Sequence, residues 1–210
     1  MHKKGIYERY FKRVLDIICG IVAIVVFWWL YLLLAILVRI KLGKPVLFVQ
    51  ERPGKNGKIF KLCKFRTMTD EKDENGKLLP DMARLTKFGK FLRNSSLDEL
   101  PEVINILRGE MSIIGPRPLL IKYLPLYNEK QRRRHEVRPG MSGYAQTHGR
   151  NATSWEERFD MDVYYVDHIT FLGDIKIIID TVLSVLKREG IDSSETSTVT
   201  MEEFKGTGTE

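Results

Sequence analysis

Cysteine is scarce in this 210-residue chain, with only Cys19 and Cys63 present. Cys19 falls in a long apolar run and Cys63 in a predicted strand, so no disulfide is expected between them, and a reducing compartment is compatible. No Cys-x-x-Cys pair and no His/Cys cluster with zinc spacing occurs, which excludes the common structural zinc modules. No internal repeat is present, which excludes a solenoid or propeller. Acidic residues are in the minority: 34 Lys and Arg against 27 Asp and Glu leave a formal net charge of +7. That excess suits an anionic partner, whether lipid headgroups, phosphorylated substrates or nucleic acid. No helix-turn-helix, zinc-finger or RNA-binding signature accompanies it, and nucleic acid is not expected as a partner.

The 25 residues from Val14 to Val38 are apolar except for Asp16 near one end. Roughly 20 apolar residues suffice to cross a hydrocarbon core of ~30 Å. The run is too long for a signal-peptide core. Phe27-Trp28-Trp29-Leu30-Tyr31 has no polar stripe, unlike a helix on the surface of a soluble domain. Lys3, Lys4, Arg9, Lys12 and Arg13 precede the run, and Arg39, Lys41, Lys44 and Arg52 follow it. Cytoplasmic flanks carry the excess of Lys and Arg. Basic flanks on both sides therefore fit a re-entrant segment that dips into one leaflet and returns. Folded in two, its arms of about 12 residues would each reach ~18 Å. A spanning helix stays open as the alternative.

The remaining residues suffice for one domain of ordinary size. The expected fold is α+β: a mostly helical catalytic domain with a short β-hairpin behind the N-terminal membrane helix. Residues 1–40 form the interfacial and re-entrant segment, 41–191 a cytoplasmic catalytic domain, and 192–210 a Ser/Thr/Glu-rich tail. Val46–Val49 and Ile59–Phe65 read as strands joined through Arg52-Pro53-Gly54-Lys55-Asn56-Gly57. A short helix is expected over 85–92. Ser96 and Glu99 match a capping box for a helix carrying Leu97, Leu100, Ile104 and Leu107. Pro101 either opens that helix or kinks it, and Gly109 ends it. Residues 122–136 read as a very basic helix, Trp155–Asp167 and Asp174–Arg188 as two more. Arg138-Pro139-Gly140 and residues 147–151 read as loops.

Asp98-Glu99 is the first candidate for chemistry. Adjacent carboxylates at a helix start sit in the positive end of its dipole, and helix capping alone would explain them. The functional alternative is a carboxylate nucleophile beside a carboxylate that holds a divalent cation. Mg²⁺ is bound by one or two carboxylates plus substrate phosphates, and its charge lets one anion attack another. Four arginines in stiff or Gly/Pro-rich surroundings form the second candidate: Arg93, Arg117 between two prolines, Arg138 and Arg150. An Arg fork matches phosphate oxygens, although any one of them alone could be a solvated surface charge. Arg132-Arg133-Arg134-His135 reads as a solvated or headgroup-facing helix face. His148 is left undecided. Trp155, Tyr164 and Tyr165 read as core or interface aromatics, and Asp162 as either a substrate contact or a surface charge.

Together these stretches resemble the bacterial sugar transferases, the monotopic polyprenyl-phosphate phosphoglycosyl transferases. The motifs are Gln50-Glu51-Arg52-Pro53-Gly54, Lys64-Phe65-Arg66-Thr67-Met68, Leu97-Asp98-Glu99-Leu100-Pro101, Gly115-Pro116-Arg117-Pro118, Arg138-Pro139-Gly140 and Gly149-Arg150-Asn151. The resemblance runs from Phe11 to about Phe204. It implies transfer of a phosphosugar from a UDP-sugar to undecaprenyl phosphate, release of UMP, and the first membrane step of capsule, exopolysaccharide or glycoprotein assembly. It implies Asp98 as nucleophile, Glu99 as the metal-associated carboxylate and Mg²⁺ as cofactor. Arg93 and Arg117 match phosphate-binding positions, and Lys64, Arg138, Arg150 and Asp162 join them as expected substrate contacts. Further implications are a monotopic seat on the cytoplasmic face of the bacterial inner membrane and downstream glycosyltransferases as partners. One position departs from the pattern. Many members break the membrane helix with Ser-Pro where this chain has Trp28-Trp29, so the usual cause of the bend is missing. A membrane-anchored basic protein that merely binds anionic lipid or polyphosphate is the non-enzymatic alternative. It explains the charge and the apolar run, but not a carboxylate pair among arginines in rigid turns.

Overall fold

The apolar run forms one unbroken helix, α1 (Lys12–Leu42), entered through a π-helical turn at Tyr7–Phe11. The computed structural model describes residues 5–149, 153–187 and 203–206. The helix runs through Trp28-Trp29 without a reversal. Sharp kinks come from proline, glycine pairs, π-bulges or inserted side chains, and the centre of α1 contains no proline. At about 1.5 Å per residue the 31 residues extend ~46 Å.

One stripe of α1 docks along the rest of the protein. The Arg13 guanidinium donates to the carbonyls of Ile106 (2.6 Å) and Leu107 (3.0 Å). Asp16 is buried and accepts from the Ser112 hydroxyl and the Ile113 N–H, both at 3.0 Å. These partners account for the one charge in the run. Tyr31 donates to the Leu100 carbonyl (3.2 Å). Leu34, Val38 and Leu42 then pack with Phe65 and Leu92. The other face, including Val22, Val25, Trp28, Trp29, Leu32 and Ile36, is exposed. In the most apolar 18-residue stretch of the whole helix only 11% of the residues are buried. Membrane association accounts for that exposure, since soluble proteins seldom leave so long an apolar face uncovered.

After α1 the chain builds the expected hairpin, β1 (Leu47–Pro53) antiparallel to β2 (Ile59–Phe65), with Phe48 opposite Lys64. Two short helices follow, α2 (Asp81–Arg84) and α3 (Lys87–Asn94). Thr86 caps α3 by accepting from the Gly89 N–H. Gly89 lies against the backbone of Thr67: a Cβ there would stand 1.8 Å from the Thr67 carbonyl oxygen. Gly89→Ala is therefore expected to cost about 3 kcal/mol or more through overpacking, read as a lowered denaturant midpoint.

The expected capping box does not form. Ser96 adopts a left-handed backbone (φ 53°) and makes no cap hydrogen bond. Leu97–Glu99 form a 3₁₀ turn, and α4 (Glu102–Arg108) begins after Pro101, where a missing N–H costs nothing. Gly109 ends α4 at φ +83°, as expected. Asn105, fully buried, ties α4 to the hairpin: its amide oxygen accepts from the Cys63 N–H (3.1 Å) and its NH₂ donates to the Lys61 carbonyl (2.7 Å).

A parallel pair not foreseen from the sequence joins β3 (Ser112–Ile114) to β4 (Gly140–Ser142). Three residues per strand are too few to show alternation. The basic stretch 122–136 is not one helix. It divides into a 3₁₀ turn at Ile121–Leu126, α5 (Glu129–Arg132) with an Asn128/Gln131 capping box, and a second 3₁₀ turn at Arg133–Glu136. The helical repeat then runs through α6 (Tyr144–His148), α7 (Trp155–Asp167) and α8 (Phe171–Lys187). α6 replaces part of an expected loop.

Nor is the Arg132–His135 run a solvated face throughout. Arg134 is 3% exposed. His135 offers Nδ1 to the Gly54 carbonyl (3.1 Å), while its Nε2 is buried with no partner among the described residues. Burial, reinforced by Arg134, lowers the imidazole pKa from 6.5 to about 4. Between those values the unfolded chain binds the additional proton. The stability from keeping His135 neutral is thus complete above pH 6.5 and is lost as pH falls toward 4. His135→Gln is expected to flatten the acid limb of the stability curve by about 3 kcal/mol, measured by denaturant titration between those pH values.

Candidate active site

Lys64 on β2, the 3₁₀ turn between α3 and α4, and the Pro-Arg-Pro turn after β3 converge on one cleft of about 930 Å³. Lys64 Nζ lies 2.6 Å from Glu99 Oε1 and 3.2 Å from Glu102 Oε1. Arg117 Nη2 donates to the same Glu99 oxygen at 2.8 Å. Pro116 and Pro118 are buried on either side of an exposed Arg117, so the turn presents the guanidinium to the cleft. Arg93, one turn before Asp98, donates from Nε to Thr67 Oγ1 (3.0 Å) and also lines the cleft.

The two adjacent carboxylates differ sharply. Burial raises the Glu99 carboxyl, but Arg117 and Lys64 outweigh it and hold it down at about 2. Asp98 is buried and has no ion pair among the described residues. Burial pushes its carboxyl up, Lys64 opposes and Glu99 adds to the rise. One carboxylate is thus a fixed counter-charge, and the other stands at the cleft with no ion pair among the described residues. The third, Glu102, is 3% exposed, and burial raises its carboxyl to about 7 against the opposing pull of Lys64. Pro45, Leu47, Phe48, Val49 and Leu78 also line the cleft. A cleft that combines cations and carboxylates with apolar side chains suits a phosphate-bearing amphiphile.

The family model of the bacterial sugar transferases matches residues 7–188. The chain belongs to the bacterial sugar transferase family. It is an enzyme of the sugar-phosphate transferase type. It is 53% identical over 197 residues to the uncharacterized sugar transferase EpsL of Bacillus subtilis, covering 94% of this chain and 96% of that one. It is 36% identical over 186 residues to the UDP-N-acetylgalactosamine-undecaprenyl-phosphate N-acetylgalactosaminephosphotransferase of Aeromonas hydrophila, covering 84% of this chain and 44% of that one. It is 34% identical over 201 residues to the undecaprenyl-phosphate galactose phosphotransferase of Salmonella typhimurium, covering 87% of this chain and 42% of that one. This transferase therefore spans nearly all of EpsL, but under half of the other two.

Asp98, Glu99, Lys64, Arg93 and Arg117 of this transferase meet at the cleft. Two expected contacts, Arg138 and Asp162, are not among its lining residues. Arg138 faces away, donating from Nε to the Gly109 carbonyl (2.8 Å) and lining a small recess with Arg13 and Asp16. Asp162 is neither a surface charge nor a cleft residue: it is 5% exposed and accepts from Arg134 Nε (3.0 Å) and Nη2 (2.7 Å). Arg150 lies outside the described residues. Two cleft neighbours went unrecognised in the sequence. Glu102 stands three residues after Glu99, a spacing that puts both beside Lys64. Arg52, within a quoted motif, lines the cleft and donates to Gln50 (2.5 Å). His148 stacks on Tyr144 and lies outside the cleft lining.

Proposed function

We propose that this transferase moves a phosphosugar from a UDP-sugar to polyprenyl phosphate through a covalent Asp98 intermediate. The observation that carries the proposal is the contrast between an unpaired Asp98 and a Glu99 pinned by Lys64 and Arg117 in one cleft. An Asp98 carboxylate oxygen attacks the sugar-side phosphorus of the donor, and the bond from that phosphorus to the bridging oxygen breaks, so UMP departs with the bridge oxygen. A phosphate oxygen of the lipid then attacks the same phosphorus, and the acyl phosphate P–O bond to Asp98 breaks. The free carboxylate returns, and polyprenyl-diphosphate-linked sugar leaves. Arg93 and Arg117 orient the phosphates by charge-assisted hydrogen bonds. Lys64 holds Glu99 in place and adds positive charge where two anions approach.

The donor set fits Mg²⁺. Asp98 is unpaired, and both cations that touch Glu99 do so through Oε1 alone. Asp98 and Glu99 would hold the ion, which when bound neutralises charge between carboxylate and phosphate.

The apolar face of α1 supports a monotopic seat on the inner membrane, cytoplasmic side. Because its other face docks on one domain from Arg13 to Leu42, α1 could leave that domain to cross the bilayer only by exposing Asp16 and Arg13 to lipid.

UMP release from a panel of UDP-sugars, including UDP-galactose and UDP-N-acetylgalactosamine, tests the proposal with purified protein, undecaprenyl phosphate and Mg²⁺. Multiple-turnover UMP release that needs the lipid is expected with one donor. No release from folded protein with any donor would favour the lipid-binding scaffold instead.

A further inference from the structure

Residues 203–206 return to the domain after α8. Phe204 is 3% exposed. Its ring centroid lies 5.0 Å from Phe159, 5.6 Å from Trp155, 5.7 Å from Tyr123 and 5.9 Å from Tyr127. Glu203 pairs with Lys122 beside it. A segment without regular structure holds one position when an anchor side chain is buried, and an aromatic ring closed in by four others is such an anchor.

The box touches a buried cation with a direct line to the cleft. The Arg134 guanidinium lies 5.9 Å from the Tyr127 ring and 5.7 Å from the Phe159 ring. Asp162 fixes two of its nitrogens, and Nη2 also donates to the Arg117 carbonyl at 2.7 Å. That carbonyl precedes Pro118, and the backbone nitrogens of Pro116 and Pro118 carry no hydrogen. The turn therefore has few hydrogen bonds of its own, and Arg134 supplies one at the residue whose side chain reaches Glu99.

We propose that the C-terminal segment is an internal latch: Phe204, seated in the Tyr123–Tyr127–Trp155–Phe159 box, holds the rings against Arg134, and Arg134 is the positioning residue that aims Arg117 at the donor phosphates. The inference rests on the transferase reading for the identity of the donor. It assigns the pair Arg134–Asp162 an indirect role and leaves the chemistry with Asp98.

The test is a double-substitution cycle on the full chain, read as UDP affinity by calorimetry, with donor kinetics alongside. Phe204→Ala is expected to weaken UDP binding about tenfold, equivalent to ~1.4 kcal/mol, and to raise donor KM more than it lowers kcat. Its melting temperature should stay within about 3 °C of the unsubstituted chain. In an Arg117→Met background the same substitution should cost almost nothing, because coupled residues are not additive. A peptide spanning residues 198–210, added to Phe204→Ala, should restore part of the affinity. UDP binding indifferent to Phe204 overturns the latch alone. So does an equal loss in both backgrounds, or a loss that tracks a large fall in melting temperature, either of which makes Phe204 a fold-stabilising residue. An unsubstituted chain that fails to bind UDP overturns the transferase reading itself, and the latch with it.

Discussion

Asp98→Asn lowers UMP release by about 10⁴-fold or more, the scale on which loss of a covalent nucleophile is felt. The amide is nearly the same size as the carboxylate, so packing is kept while the attacking oxygen loses its charge. The fold provides an internal control for this substitution. Asp98 is buried, has no ion pair among the described residues, and is raised in pKa by burial. A neutral side chain there removes a desolvation cost, so the variant should melt at or slightly above the unsubstituted temperature. Glu99→Gln should behave differently. It strips Lys64 and Arg117 of a shared counter-charge and should lose both activity and stability. Two neighbouring carboxylates with opposite stability responses would separate the nucleophile from the anchor more cleanly than activity alone.

Arg117→Met lowers kcat/KM for the donor by about 10²–10³-fold, the range found when one donor to developing charge is removed. Glu99 keeps Lys64 as partner in that variant, so the protein should remain folded. Arg117→Lys should recover only part of the loss. An ammonium group cannot form the planar two-point contact a guanidinium makes with phosphate, and it must reach both Glu99 and the donor from a backbone fixed between two prolines. The measurement is steady-state UMP release at varied donor, with lipid saturating. A Lys variant as active as the unsubstituted chain would show that charge alone is needed there.

Much of this architecture could be read along the chain where local rules and the fold agree. Gly109 closes α4, the turn-rich residues after Pro53 close the hairpin, and α7 spans Trp155–Asp167 as its sequence suggests. Local rules fail where tertiary contacts compete with them. Ser96 and Glu99 have capping-box spacing, yet Glu99 turns to Lys64 and Arg117, and Ser96 takes a left-handed backbone. Local misfits of this kind concentrate at functional sites. Arg134 and Asp162 illustrate a second limit. Arg134 reads as part of a solvated or headgroup-facing run and Asp162 as a substrate contact or a surface charge, and their burial is explained only by a partner 28 residues away. Glu102 was hidden in the same way, since nothing local reveals that Lys64 lies between two carboxylates. In α1 the composition announced the membrane-facing surface, whereas the docked stripe from Arg13 to Leu42 depends on residues from α4, β3 and β2.

The central claim is a covalent phosphosugar on Asp98, and the direct measurement is a single turnover without lipid acceptor. Purified transferase is mixed with an active UDP-sugar and Mg²⁺, UMP is quantified, and the protein is weighed intact and as peptides. The account predicts a UMP burst approaching one equivalent of enzyme and a mass increase of one sugar phosphate on the peptide containing Asp98, with both lost in Asp98→Asn. Lipid phosphate added afterwards should discharge the adduct into polyprenyl-diphosphate-linked sugar. UMP release that strictly requires the lipid, with no adduct at any time, would contradict the account and point to direct attack by the lipid phosphate on the donor.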